Sequence, residues 1–226
     1  MLTLAIDTAL TSCSVAIVSG DETLFEEILP LAKGHAEMLP PMVARALSTA
    51  RVKAVDVNRL GVVVGPGQFT GVRVGLAFAR GFALGRPNSI VGIDSLRGLH
   101  ATHARDGEWC AAVVDARRGE VFCALYDPSG EEVLSPVALT PNSAGERVLS
   151  HLPTNTVCRL VGSGATLVPS TVNLAAAKDT NHINPRAVAD IASSKSVPSE
   201  PPGPIYLRAP DAKPSAAPLF AGMLTI

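Results

Sequence analysis

Apolar positions alternate with polar ones through the first thirty residues, and then the spacing becomes helical. Residues 2–7 are apolar at alternate positions and run into the Thr/Ser-rich turn Asp7-Thr8-Ala9-Leu10-Thr11-Ser12. Residues 13–18 and 23–29 follow, with Gly20-Asp21 between them, so the pattern predicts a three-stranded antiparallel meander. After Gly34, the residues Met38, Leu39, Met42, Val43 and Leu47 fall on one face of a helix over 36–50. Pro40 and Pro41 suit only a first turn or a kink, so this helix is expected to start late or bend there. Residues 60–64 form a short, fully apolar run, as in a strand buried on both faces. A Gly-rich turn then leads to a helix over 70–84, a strand near 89–93, and a helix capped by Asp94 or Ser95.

The pattern resets at Trp109. Residues 110–115 and 120–126 read as a hairpin turning at Ala116-Arg117-Arg118-Gly119, with a third strand at 133–139. Pro141-Asn142-Ser143 opens a short helix, 156–161 is a further strand, and Asn184-Pro185 caps a helix to about 195. Each half thus places strands before helices, giving an α/β chain with lobes at 1–106 and 107–196. The Pro-rich stretch 197–226 is an extended tail, in which only Pro204-Ile205-Tyr206-Leu207-Arg208 carries large apolar side chains suited to docking on the body.

The 70–84 helix is unusual. Gly71, Gly75, Ala79 and Ala83 make a stripe of small residues at i, i+4 spacing. Val72, Val74, Leu76, Phe78, Phe82 and Leu84 surround it, and only Arg73 and Arg80 are polar. A helix apolar nearly all round must be covered nearly all round. One face can cover the sheet; the other needs either the 36–50 helix or another molecule.

Composition sharpens this. Of 226 residues, 47% are hydrophobic and 17% are charged, against about 25% charged in a typical domain. A surface so poor in charge suggests that part of it is covered. The formal net charge is −1, so the chain lacks the basic excess of a protein that grips nucleic acid alone, and another subunit would supply most of any hold on RNA. The first residues lack a basic segment and Asp7 interrupts their apolar run, so no signal peptide is expected. No apolar stretch reaches membrane-spanning length. Cys13, Cys110, Cys123 and Cys158 are widely spaced with no C-x-x-C, which suits reduced, buried thiols and a cytoplasmic location.

Candidate chemistry is sparse. Asp7 and Thr8, in a turn rich in hydroxyl groups, could hold a hydrated metal and a phosphate, or could merely shape the turn. Gly65, Gly67, Gly71 and Gly75 lead from a strand into a helix but match neither a Walker phosphate loop nor G-x-G-x-x-G. Gly162-Ser163-Gly164 could approach a base or ribose, or be a tight turn. His100 and His103 lack a third ligand and read as a solvated helix face. Arg117-Arg118, with Asp115 and Glu120, reads as a solvated loop. No serine or cysteine has the setting of a nucleophile.

Several segments, in order, resemble the TsaB family of bacterial tRNA threonylcarbamoyladenosine biosynthesis proteins. They are Leu4-Ala-Ile-Asp-Thr8 with Cys13-Ser-Val-Ala16, His35, Gly65-Pro-Gly-Gln-Phe-Thr-Gly-Val-Arg73, Asp115-Ala-Arg-Arg-Gly-Glu-Val121 and Pro204-Ile-Tyr-Leu-Arg208. Gln68 departs from the usual Ser. The resemblance spans essentially the whole chain and implies an actin/Hsp70/sugar-kinase (ASKHA) fold with two βββαβα-type lobes, the second abbreviated. It implies a non-catalytic subunit of the machinery that attaches threonylcarbamoyl to the adenosine beside the anticodon, in tRNAs reading codons that begin with A. The transferase would be a TsaD-like paralogue, joined by a TsaE-like ATPase, with tRNA met only through the complex. ATP and metal would sit on those partners, and this chain alone would bind no cofactor tightly. The paralogue's metal-binding His-x-x-x-His would here begin at His35, but its fifth position is Leu39, so the helical pair cannot form.

The resemblance further implies a partner seam of two helices, drawing on His35, Met38, Leu39, Met42, Gly71, Gly75, Leu76, Ala79, Phe82 and Ala83. Without its partner, such a seam would also suit a homodimer. Asp7, Thr8, Gly162 and Gly164 would be a vestigial nucleotide site. Two rival readings stand beside this one: a self-sufficient nucleotide-dependent enzyme using Asp7 and the 162–164 turn, and a glycopeptidase.

Overall fold

The computed structural model describes residues 1–84 and 90–208. Ser89 of the expected fifth strand and the tail beyond Arg208 lie outside the described residues. Strands β1 (Leu2–Asp7), β2 (Ser12–Ser19) and β3 (Glu22–Pro30) form the meander, with Asp7 opposite Ser14 and Cys13 opposite Leu29. Helix α1 (His35–Ala50) leads to β4 (Arg59–Val63), α2 (Phe69–Phe82), β5 (Ile90–Ile93) and α3 (Ser95–His103). β4 lies parallel to β1 and β5 parallel to β4, giving the order β3-β2-β1-β4-β5.

The second half repeats this path. Strands β6 (Trp109–Arg117), β7 (Glu120–Tyr126) and β8 (Glu132–Leu139) precede α4 (Pro141–His151), β9 (Cys158–Val161), β10 (Leu174–Ala176) and α5 (Pro185–Ser194), in the order β10-β9-β6-β7-β8. Two sheets with one topology, each a meander plus two parallel strands, make the ASKHA-type α/β fold. The abbreviation is local: a 3₁₀ turn, Ala165–Leu167, joins β9 to β10 where the first lobe has α2.

The last helix of each half crosses to the other sheet. α3 packs on β6, β7 and β9, while α5, which the sequence groups with the second lobe, packs on β1, β2 and β4. Small residues permit both approaches: a Cβ on Gly61 would lie 2.9 Å from the Ala192 Cβ, and one on Gly98 would lie 3.1 Å from Ile183. Arg59 donates to the Ala192 carbonyl at 2.7 Å and so closes the end of α5.

Two expectations are corrected. α1 neither waits for its prolines nor begins after them; it starts at His35, behind Gly34 at φ 91°. Pro40 and Pro41 cannot donate to the Ala36 and Glu37 carbonyls, but all four residues are exposed, where water can replace the lost bonds. His100 is buried rather than solvated, with its ring 4.2 Å from that of Tyr126, and His103 bonds the His182 carbonyl at 2.8 Å. β10 carries too short an apolar run to be legible. Asp94, not Ser95, caps α3, its Oδ1 accepting from the Leu96 and Arg97 amides at 2.7 and 3.2 Å.

Candidate functional site

Asp7 ends β1 and is fully buried. Its Oδ1 accepts the Ala9 N–H at 2.7 Å, and its Oδ2 has no partner. Burial pushes this carboxyl up to about 7, against the lowering effect of the Ala9 bond. Thr8 donates its hydroxyl to the Gly71 carbonyl at 2.7 Å, and the Gln68 N–H bonds the Ala9 carbonyl at 2.8 Å. The start of α2 therefore sits directly on the β1–β2 turn. A Cβ on Gly67 would overlap the Ala9 carbonyl oxygen, one on Gly71 the Thr8 carbonyl oxygen, and one on Gly75 would lie 2.7 Å from Thr8 Oγ1. The turn that the sequence left open to a phosphate is sealed by the chain's own helix.

Gly162 and Gly164 serve the other lobe in the same way. A Cβ on Gly164 would lie 2.9 Å from Val113 and one on Gly162 would overlap the Val113 carbonyl oxygen, so the glycines let this turn press on β6. Ser163 Oγ accepts the Asp115 N–H at 3.1 Å. Gly162 and Ser163, with Thr166, Lys178, Asp179 and Asn181, line an open pocket of about 350 Å³ to which no residue of β1–β5 contributes. Asp7, Thr8 and Gly164 are not among the residues that line this pocket.

The helix residues expected at a partner seam divide into two groups. Leu39, Met42, Gly71, Gly75, Leu76, Ala79, Ala83 and His35 are buried within this chain, while Met38 and Phe82 are half-buried. The small-residue stripe faces inward and lets α2 approach the Thr8-Ala9 backbone and Val62; it is not the outer surface. Burial lowers the pKa of His35, which the Ser12 and Leu10 carbonyls oppose. Among the described residues, no group of three His, Cys, Asp or Glu side chains could hold a metal ion. All four thiols are buried and free, and burial pushes Cys13, Cys110 and Cys123 up to about 12.

What remains on α2 is a partly covered apolar flank. Val74, Phe78 and Phe82 are half-buried at successive i+4 positions, and the Phe78 and Phe82 rings stack at 6.0 Å. Ala77 beside them is exposed, and Leu84 just past the helix is 87% exposed.

The opposite flank is covered by a strap that sequence reasoning saw only as a docking segment. The Ile205 N–H bonds the Val64 carbonyl at 2.8 Å, and Arg80 donates to the Pro202 carbonyl at 3.1 Å. Arg73 Nε donates to the Tyr206 hydroxyl at 3.0 Å, and Phe69 and Tyr206 stack at 5.7 Å. Arg208 then reaches the second lobe, pairing with Glu120 and bonding the Arg117 carbonyl. The signal available was the pair of arginines seven apart on α2; their partners lie more than a hundred residues away in the chain.

A family model described as TsaD, tRNA N6-adenosine threonylcarbamoyltransferase, matches residues 28–152. The chain is 34% identical to the tRNA threonylcarbamoyladenosine biosynthesis protein TsaB of Escherichia coli, over 92% of this chain and 95% of that one. It is 33% identical to an uncharacterised protein of Mycobacterium leprae, over 99% of this chain and 60% of that longer protein. A Pseudomonas aeruginosa crystal structure, of an uncharacterised protein with similarity to the peptidase YeaZ, superposes with a TM-score of 0.76 at 26% identity, over 92% of this chain and 99% of that one.

Proposed function

The chain belongs to the TsaB family of tRNA threonylcarbamoyladenosine biosynthesis proteins, and we propose that within that biosynthesis it is a non-catalytic subunit that binds and stabilises a TsaD-like transferase. The observation that carries this reading is the flank Val74, Phe78 and Phe82, an apolar surface on α2 that the chain's own body covers only in part. Burying it against a second helical protein removes apolar surface from water at about 25 cal/mol per Å². A partner that binds only the folded chain also stabilises it by mass action. Met38 and Leu47 on α1 are half-buried too and extend the apolar supply beside it. With the stripe turned inward, the seam is the outer face of the helix pair and not its small residues.

The chain's own polar groups support an accessory role. Asp7 is fully buried, and Leu39 stands where the second imidazole of a helical metal pair would be. The threonylcarbamoyl transfer, its metal and its nucleotide then reside on the TsaD-like partner and a TsaE-like ATPase, with tRNA delivered to the assembly. A second copy of this chain could occupy the same face when the transferase is absent.

Reconstitution tests this reading. Purified transferase, ATPase, threonylcarbamoyl-adenylate and unmodified tRNA should form the modified nucleoside only when this chain is added, and this chain without the transferase should form none. Full modification in its absence, or turnover by this chain alone, would overturn the assignment.

A further inference from the structure

We propose that the 202–208 strap is a splint for α2: clamped along one flank of the helix and anchored on both lobes, it holds the opposite, apolar flank in the form that a partner binds. This inference rests on the partner-binding role proposed above and names what maintains that surface.

α2 is a weak helix by its own sequence. Gly71, Gly75 and Gly81 stand among its fourteen residues, and each glycine loses more backbone entropy in a helix than alanine would. Gly71 and Gly75 are fixed by their close approach to Thr8, so neither position can take a larger residue. Among the described residues no side chain caps the helix start, and its first turn, Phe69-Thr70-Gly71-Val72, holds no acidic residue. The inward face packs on β4 and α1. The strap supports the helix from a second side.

The strap's contacts fall on one line along α2. Tyr206 stacks on Phe69 at 5.7 Å and accepts from Arg73 Nε at 3.0 Å, and the Pro202 carbonyl accepts from Arg80 at 3.1 Å. The Arg73 guanidinium also lies 3.5 Å from the centre of the Phe69 ring. Positions 69, 73 and 80 run down one flank for about three turns, and Phe78 lies about half a turn round from them.

The strap is held to the body as well. The Ile205 N–H bonds the Val64 carbonyl, and Arg208 pairs with Glu120 of the second lobe. A Cβ on Gly92 of β5 would lie 2.8 Å from Pro202, so this strand is hollowed where the strap crosses it. Pro201, Pro202 and Pro204 restrict the segment before it docks, which lowers the entropy lost on clamping. A stiff segment fixed to both lobes, and bonded near each end of a glycine-bearing helix, opposes fraying of that helix. Partner affinity then depends on the strap without any contact between the two, since Kd rises as the binding-competent form becomes scarcer.

The test uses the full chain and its transferase, with hydrogen exchange read at each amide and affinity by isothermal titration. Ile205→Pro/Tyr206→Ala/Arg208→Ala releases the strap. The amides of α2 should then lose most of their protection while those of α5 keep theirs, and transferase affinity should fall at least about threefold. Gly81→Ala supplies the deciding readout, because a Cβ there meets nothing within 4 Å and alanine strengthens the helix independently of the strap. Added to the released variant, it should restore α2 protection and most of the affinity; in the wild-type chain it should leave affinity unchanged. Full α2 protection in the released variant would overturn the proposal. So would restored protection without restored affinity, which would mean that the strap touches the transferase itself. If the triple variant does not fold, Tyr206→Ala alone is read in the same way. If the wild-type chain does not bind the transferase, the subunit reading fails instead, and α2 exchange in the isolated chain still decides the splint.

Discussion

A methyl group built on Gly71 would overlap the carbonyl oxygen of Thr8 and lie 3.1 Å from its carbonyl carbon, so α2 meets the turn after β1 backbone to backbone. Neither side can yield as a side chain could. Gly71→Ala should therefore destabilise the fold by about 3 kcal/mol and lower Tm by about 6–12 °C. Ala77→Val, on the exposed side of the same helix, should stay within about 0.5 kcal/mol of wild type. Thermal unfolding of the two variants checks this, and equal melting would mean that the stripe faces outward.

Asp7 makes stability depend on pH in the basic direction. Its folded pKa, pushed up to about 7 by burial, exceeds its unfolded value of 3.8, so the folded chain holds the extra proton between those values. Stability from this group is full below about pH 4, declines as pH rises towards 7 and stays low above it, a span of up to about 4 kcal/mol. Asp94, pushed up to about 6 chiefly by burial, acts in the same sense over a narrower window. Asp7→Asn should flatten the decline between pH 4 and 8 in urea titrations; an unchanged slope would show that Asp7 is hydrated.

His100 acts on the acid side. Burial, aided by the Arg97 charge, lowers its pKa to about 4 from 6.5. The folded chain thus holds fewer protons, and the contribution present above pH 6.5 is lost as pH falls towards 4, by up to about 3 kcal/mol. His100→Phe keeps a ring against Tyr126 and should lessen acid destabilisation when unfolding is compared at pH 7 and 4.5. Equal acid sensitivity in the two proteins would place the effect elsewhere.

The Arg208–Glu120 pair couples the strap to the second lobe but is partly exposed, its side chains 28% and 39% accessible. Its removal should cost only about 0.5–1 kcal/mol. Arg208→Ala, Glu120→Ala and the double variant should all lose about the same stability, because each breaks the same ion pair and the further Arg208 bond to the Arg117 carbonyl, at 3.4 Å, is long and exposed. Additive losses would show that the two residues act independently.

The strands of both meanders were legible because each alternates or runs apolar between turn residues, as at Leu2–Asp7 and Glu120–Tyr126. Asn184-Pro185 and Pro141 announced their helices because a cap and a first-turn proline are local chemistry. The early start of α1 was hidden, since a rule about proline says nothing about whether water can reach the orphaned carbonyls. The small-residue stripe could be read as a close approach but not assigned a neighbour: Gly71 meets Thr8 across 63 residues of sequence. For the same reason Pro204–Arg208 was legible as a docking segment, while the Arg73–Tyr206 bond and the brace it builds were not.

The outer flank of α2 is where the subunit reading stands or falls. The most direct measurement is isothermal titration of the TsaD-like transferase with Phe78→Asp, whose fold is first verified by circular dichroism. A folded variant that neither binds the transferase nor restores tRNA modification is the predicted result. A folded variant that binds with wild-type affinity and supports full modification would contradict it.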